Sequence, residues 1–378
     1  MRLVVIAQWK NELNTYRNLI LCLLCLLALT PSLRAADSSA RYFERQLPVS
    51  SQAVKERQAA ATHALMDVLV RISGTEDVRT NEQLLAKSKN ALSYVEQFSY
   101  QQPSIESEQS DAFELKLSFA PSSVRALLAD AQMPFWPVSR PSVLLWLVED
   151  SAEYGRQVLM ADEPGSEWAQ SLELASLYRG LPLSFPLLDF QDQVALSVGQ
   201  LWALDEQAIL TASARYDAQL VLVGKLTRTS NGAILSSWEF FHQDHSQVYD
   251  ARSEDIDAAM RSGIGPVADY LASQFSLNLD TEDYFNVEID GVSSYRDYRA
   301  VMSVFEALEA VSEVRVQSLD QQLLRLSLVS EASREQLLGT LAMERSLEEQ
   351  SADLQEPAFD FTPGSTLGSN AIRYHWQP

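Results

Sequence analysis

Residues 142–148 read SVLLWLV, a run with no polar face. A strand of this kind is stable only when helices cover it on both sides, as in α/β sheets, whereas a half-solvated strand would alternate polar and apolar residues. The sequence that follows supplies candidate cover. EWAQSLELASLYRG reads as a helix, LPLSFPLL as a strand, and the segment ending in ILTASARYDA as a second helix. QLVLVGKLTRT, SSWEFFHQ and a run around HSQVYDAR then read as three strands, and a helix over 253–275 closes the unit, with a kink expected at Gly263-Ile264-Gly265-Pro266. Alternating β and α followed by a meander predicts a mixed sheet with helices on both faces, over residues 140–279.

The region before it, 36–139, reads as an α+β module. RYFERQLPV opens as a strand, and the alanine-rich stretch to Gly74 forms a long helix, with Ser50 or Ser51 as its cap. A second helix (NEQLLAKSKNALSYV), a hairpin (EQFSYQQPSI and AFELKLSFA) joined by the acidic loop IESEQSD at 105–111, and a short helix opened by Pro121 complete it. PFWPVSRP at 134–141 is a proline-stiffened joint. Beyond the middle unit, residues 280–350 follow the order βαββα of a ferredoxin-like module. A tail at 351–378, rich in Pro, Gly and Ser, ends in IRYHW, which is expected to dock as a strand. The expected fold class is therefore α+β or mixed α/β, in three small modules that each pack helices on a sheet.

At the N-terminus, Leu19 to Leu29 are apolar without interruption, a run far below the roughly 20 residues that cross a bilayer. Arg2, Lys10 and Arg17 precede it and Leu33-Arg34-Ala35 follows, which is the pattern of a secretory signal peptide over 1–35 cleaved after Ala35. Leu21 before Cys22 and Leu24 before Cys25 deny either cysteine the small residues that lipidation needs. Both cysteines leave with the signal, so the mature chain is expected to have no thiol, no disulfide and no transmembrane anchor. Removing Arg2, Lys10, Arg17 and Arg34 from 29 basic residues and Glu12 from 51 acidic ones leaves 25 against 50. A surface of that sign repels phosphate backbones, which argues against nucleic acid as a partner.

Signatures of common chemistry are missing: there is no GxSxG elbow, Walker loop, HExxH or mature CxxC, and no cofactor or metal is expected. SGIGP interrupts a helix instead of opening one after a strand, so it is not a dinucleotide loop. His242 and His245, in HQDH, sit between two strand runs and read as a polar hairpin tip. Trp136, Trp146, Trp168, Trp202 and Trp238 are spread through the chain and are expected in cores or joints. Asp189 and Asp192, in FPLLDFQD, are the candidate ligand-binding residues. They follow a strand-like run, and ligands of α/β sheets gather at the carboxyl ends of strands. The competing reading makes them caps of a helix beginning near Gln191, a role in which Asn would replace Asp at little cost.

ALMDVLVRISG, FWPVSRPSVLLWL, RGLPLSFPLLDFQD, ASARYDAQLVLVGKL with SSWEFF, and GVSSYRDYRAVMSVFEAL occur in that order over most of the mature chain. Together they resemble the bacterial "domain of unknown function 2066" family. The resemblance implies an exported protein of Gram-negative bacteria with no assigned reaction, and it brings no catalytic residues. The element order of the middle unit is also similar in outline to small periplasmic α/β domains of envelope accessory proteins. The expectation is a non-catalytic periplasmic protein whose partners are other envelope proteins. The alternative is a periplasmic enzyme or small-ligand binder built on Asp189 and Asp192.

Overall fold

The computed structural model describes residues 40–102, 113–160, 166–218, 220–243, 245–342, 344–350 and 371–377. The export segment with Cys22 and Cys25, the acidic loop at 105–111, Asp244 and most of the tail lie outside the described residues. The described chain is an α+β fold of several modules, organised by three sheets.

The first sheet contains β1 (Glu44–Val49), β2 (Val95–Gln101) and β3 (Phe113–Phe119), all antiparallel with β3 in the centre. Packed with it are α1 (Val54–Ser73), α2 (Glu82–Ser88) and α3 (Pro121–Asp130). Ala61, Ala64, Leu65, Val68, Leu69 and Ile72 recur at helical spacing on α1 and are wholly buried. Gly74 ends α1 at φ +74°, and a Cβ there would fall 2.4 Å from that of Ala272, so both conformation and space demand glycine. The expected serine cap is not made. Ala53 holds the N-cap position, and the Ser50 and Ser51 hydroxyls instead donate to the Glu56 carboxylate at 2.6 and 2.5 Å. The opening RYF is a 3-10 turn, and the strand begins only at Glu44.

The second sheet has the order β5-β4-β7-β8-β9, with β6 also on the outer side of β4. Its strands are β4 (Val143–Ser151), β5 (Gly155–Val158), β6 (Leu183–Ser184), β7 (Leu220–Arg228), β8 (Ile234–His242) and β9 (His245–Ser253). β4 and β7 are parallel, and β7, β8 and β9 form an antiparallel meander. The two-faced reading of SVLLWLV holds. Val143, Leu145 and Leu147 pack against α4 (Glu167–Arg179) and α8 (Ile256–Phe275), while Leu144, Trp146 and Val148 meet the helical layer on the opposite face.

That opposite layer differs from expectation. Where one helix was expected there are three short ones, α5 (Phe190–Ala195), α6 (Val198–Ala203) and α7 (Glu206–Ser213). Asp189, Ser197 and Asp205 cap them in turn, each side chain taking a backbone N–H three residues on, so each restarts the helix. Only Leu183–Ser184 of LPLSFPLL pairs in the sheet, because Pro182 and Pro186 on either side lack the ladder donor. Helix α8 runs from Ile256 to Phe275 through Pro266. Gly263, expected at a kink, is a packing seat: a Cβ there would lie 2.4 Å from the Trp238 ring, and so would one at Gly224.

The third sheet has the order β11-β12-β10-β14-β13. Its elements are β10 (Asp283–Asp290), α9 (Tyr295–Glu306), β11 (Val311–Asp320), β12 (Leu323–Ser330), α10 (Arg334–Leu341), β13 (Leu347–Glu349) and β14 (Ile372–Trp376). A plain ferredoxin-like sheet would place β13 beside β10. Here the terminal IRYHW strand enters between them, parallel to β10 and antiparallel to β13. The docking of the tail is as expected, and its insertion is the departure. Tyr374 and Trp376 thereby reach the core, at 1% and 6% exposure. That core is continuous with the first module's. Phe135 and Leu277 exchange backbone hydrogen bonds of 3.0 and 2.7 Å, and Arg125 pairs with Glu331 across the seam.

The first and middle modules meet where α1 and α4 end. The last carbonyls of a helix lack intrahelical donors and carry the negative end of its dipole, and three arginines satisfy them. Arg140 donates to the carbonyls of Arg71, Trp136, Pro137 and Gly180 at 2.6 to 2.9 Å and stacks on the Trp136 ring at 3.9 Å. Arg71 reaches the carbonyls of Leu177, Arg41, Tyr42 and Glu44. Arg179 donates to the Gly74 carbonyl at 2.9 Å and to Asp269 at 2.6 Å. Burial pushes Arg140 down to about 9 and Arg71 down to about 10, so both remain cationic at neutral pH.

Candidate functional site

Asp189 and Asp192 converge on one cation. Asp189 is the N-cap of α5, its Oδ1 accepting the Asp192 N–H at 3.0 Å, which is the capping geometry. Arg215 donates Nη1 to Asp189 Oδ1 at 2.8 Å and Nη2 to Asp189 Oδ2 at 2.9 Å, a bidentate pair, and Nη1 also reaches Asp192 Oδ1 at 2.9 Å. The remaining Asp192 oxygen accepts the Tyr216 hydroxyl at 2.5 Å, and that hydroxyl accepts the Leu187 N–H at 2.9 Å. Asp192 is 1% exposed. Tyr216 packs edge-on to Trp146, whose indole N–H donates to Ser213. The network thus ties α5 to the end of α7 and to the middle sheet.

The hydrogen bonds from Arg215 and from the Asp192 backbone hold the Asp189 carboxyl down at about 2 from its ordinary 3.8, and burial pushes the Tyr216 phenol up. A carboxyl lowered in the folded state contributes stability above its unfolded value and loses it as the pH falls through the folded one. The stability of the protein should therefore drop between about pH 4 and pH 2, and Asp189→Asn should flatten that part of an acid titration followed by circular dichroism. Replacing Asp192 with Asn should cost about 2 kcal/mol in denaturant unfolding, because the buried carboxylate that accepts from both Arg215 and Tyr216 loses its charge and one acceptor, while Asp189 keeps Arg215 paired. Capping alone would have made Asn nearly neutral. Arg215 and Tyr216 are the partners that sequence reading missed, although RY follows one helical segment after the aspartates.

Leu187, Phe190 and Val194 stand beside this network at 69%, 81% and 70% exposure. Phe190 and Val194 are four residues apart on one face of α5. From Leu181 to Ala214 the chain has no Lys or Arg, while Asp205 and Glu206 are exposed. The outer surface of α5 to α7 thus sets this apolar row among exposed uncharged polar residues, Gln191, Gln193, Gln200 and Gln207, with Asp205 and Glu206 as exposed acids.

The remaining candidates have structural places. His242 and His245 are directly opposed in the β8–β9 hairpin, as its expected tip. His242 Nδ1 is 3.0 Å from the Tyr270 hydroxyl, and His245 stacks on the Tyr270 ring at 4.7 Å. Burial and the neighbouring His245 push His242 down. Among the described residues no group of three or more His, Cys, Asp or Glu is placed to hold a metal ion. Trp136, Trp146, Trp168 and Trp238 are buried, and Trp202 lies under Arg156 and Lys225. Clefts of about 330 and 390 Å³ lie beside His242 and at the start of α8. The first is lined mainly by Pro141, Leu220, Phe275 and Ala342, and the second by Glu167, Arg228, Asp255 and Asp257. Neither includes Asp189 or Asp192. No described helix is long and apolar enough to cross a membrane.

Residues 36–137 match the family model described as "Domain of unknown function (DUF8605)". The chain thus carries a module of an uncharacterised family, over less than a third of its length. No curated protein matches. Among solved structures, the LpoB C-terminal domain from Salmonella enterica is 15% identical, covering 30% of this chain and 83% of that one with a TM-score of 0.21. An uncharacterized protein is 11% identical, covering 36% and 95% with a TM-score of 0.13. A formyltetrahydrofolate deformylase from Pseudomonas putida KT2440 is 10% identical, covering 61% and 91% with a TM-score of 0.14. Likenesses at this level carry no functional argument.

Proposed function

We propose that the protein is exported to the periplasm and acts there as a non-catalytic accessory protein of the cell envelope, engaging a partner protein through the outer face of α5. We also assign the chain as a whole to the "domain of unknown function 2066" family on its ordered motifs, with modules at 36–139, 140–279 and 280–350. The observation that carries the function is the Leu187, Phe190 and Val194 row, with Phe190 at 81% exposure. An aromatic and aliphatic row of this kind is what a protein partner desolvates. Around it, Asp189, Asp192, Asp205 and Glu206 stand against Arg215, which Asp189 and Asp192 already pair, so the surroundings are net acidic and set the charge of the complement: the partner's face is apolar and basic. The short cleavable apolar run at 19–29 supports export.

The test is a photo-reactive residue at Phe190 or Val194 in living cells, with Tyr154 and Tyr284, 68% and 73% exposed, as control positions. One partner with a basic face should cross-link from the first pair and not from the controls. Equal capture at all four positions, or none, overturns the assignment of this face.

The binder reading has the Asp189 and Asp192 carboxylates as its only named residues, and they already face Arg215 and Tyr216. Its test is the Asp189→Asn/Asp192→Asn variant, assayed below its unfolding temperature. Our reading expects it to complement a deletion strain. Lost complementation in a folded chain that still captures its partner would favour the binder.

A further inference from the structure

Exposed sheet edges invite pairing with another chain, and proteins blunt them with proline, bulges or shortness. Six of the seven edge strands described here are blunted. β1 carries Pro48, β2 shifts register between Val95 and Gln97, and β11 shifts twice. β5, β6 and β13 are 4, 2 and 3 residues long. β9 is the exception. It runs for 9 residues, pairs with β8 in unbroken register and contains no Pro, Gly or Lys. Its other edge is unpaired among the described residues.

The side chains of β9 name the occupant. Tyr249 turns towards α8 and donates to the Gly263 carbonyl at 2.7 Å. Val248, Asp250 and Arg252 lie on the opposite face, all exposed, and neither Asp250 nor Arg252 has an ion-pair partner among the described residues. In an antiparallel pairing of β9 with its own copy centred on Ala251, Asp250 of each chain stands opposite Arg252 of the other. Moving the centre one residue either way sets Asp250 against Asp250 or Arg252 against Arg252, which cross-strand pairing disfavours. Of these three registers only the one centred on Ala251 sets opposite charges together, with Tyr249–Ser253 of the two copies face to face.

We propose that β9 is a homodimer interface, in which two copies pair antiparallel about a twofold axis through Ala251 and merge their middle sheets. The interface is isologous and closes on itself, so it ends at two copies. The acidic net charge, -22 for the full sequence and 25 basic against 50 acidic residues without 1–35, opposes it only weakly at physiological salt, where repulsion beyond about 8 Å is largely screened and the contacting charges decide.

The experiment is sedimentation equilibrium on the protein as cells accumulate it. The unsubstituted chain should reach a reversible monomer–dimer equilibrium. Asp250→Arg or Arg252→Asp, each reversing two contacts, should weaken the dimer about tenfold. The double exchange Asp250→Arg/Arg252→Asp restores both oppositions and should recover the original affinity. Unchanged thermal unfolding of the single variants confirms that these exposed sites leave the fold intact. A chain that is monomeric throughout, a dimer indifferent to the single changes, or a double variant that fails to recover would each overturn the proposal.

Discussion

Arg140→Met destabilises the protein by about 3 kcal/mol or more in equilibrium denaturation, because several buried carbonyls lose their donor at once. The methionine keeps most of the volume and none of the five donors. The carbonyls of Arg71, Trp136, Pro137 and Gly180 are left facing one another where α1 and α4 end. Relief of repulsion from Arg71 offsets part of the loss, since that guanidinium is among the charges that push Arg140 down. Arg140→Lys is no rescue. A lysine keeps the charge but lacks the planar fork that reaches several carbonyls and stacks on Trp136. An Arg140→Met chain that unfolds at the wild-type denaturant concentration would show that the arginines do not hold the joint.

Trp238→Ala costs about 3–5 kcal/mol, the range for removing a fully buried indole. Its neighbours make the effect diagnostic. Gly224 on β7 and Gly263 on α8 both leave room for this ring, each with a hypothetical Cβ at 2.4 Å from it. In the wild-type chain Gly263→Ala should therefore destabilise by about 1–3 kcal/mol through overpacking, against a helix-propensity gain of up to about 1 kcal/mol. In the Trp238→Ala background the clash is gone and the same change should become neutral or stabilising. Chemical unfolding of the four chains of the cycle measures the coupling. Additive costs would mean that Gly263 matters for a reason other than the ring.

Much of this architecture is legible in the sequence where one face or two faces of an element are apolar. SVLLWLV reads as a doubly covered strand because its seven residues leave no side for water, and α1 reads as a helix because its buried residues keep a period near 3.6. Less legible are features set by partners distant in the chain. The division of one expected helix into α5, α6 and α7 is written in the caps Asp189, Ser197 and Asp205, but Asp, Ser and Asn also occupy turns. The insertion of β14 depends on a strand more than 80 residues away, Val287 facing Ile372. Asp189 and Asp192 were recognisable as a pair, and their capping role as well, whereas Arg215 closes the network from 23 residues beyond Asp192. The arginine joint had a local signal: Arg71 lies three residues before Gly74 and Arg179 directly before Gly180, at the helix ends where cations are favourable.

The claim that this protein works through the outer face of α5 is tested most directly by the double variant Phe190→Glu/Val194→Glu. Both residues are at least 70% exposed, so the change should leave the unfolding midpoint where it was. It also places two more negative charges on a face whose partner must be apolar and basic. We expect the variant to accumulate normally, to lose its partner cross-link and to fail to complement a deletion strain. Full complementation by a normally folded Phe190→Glu/Val194→Glu chain would contradict the account.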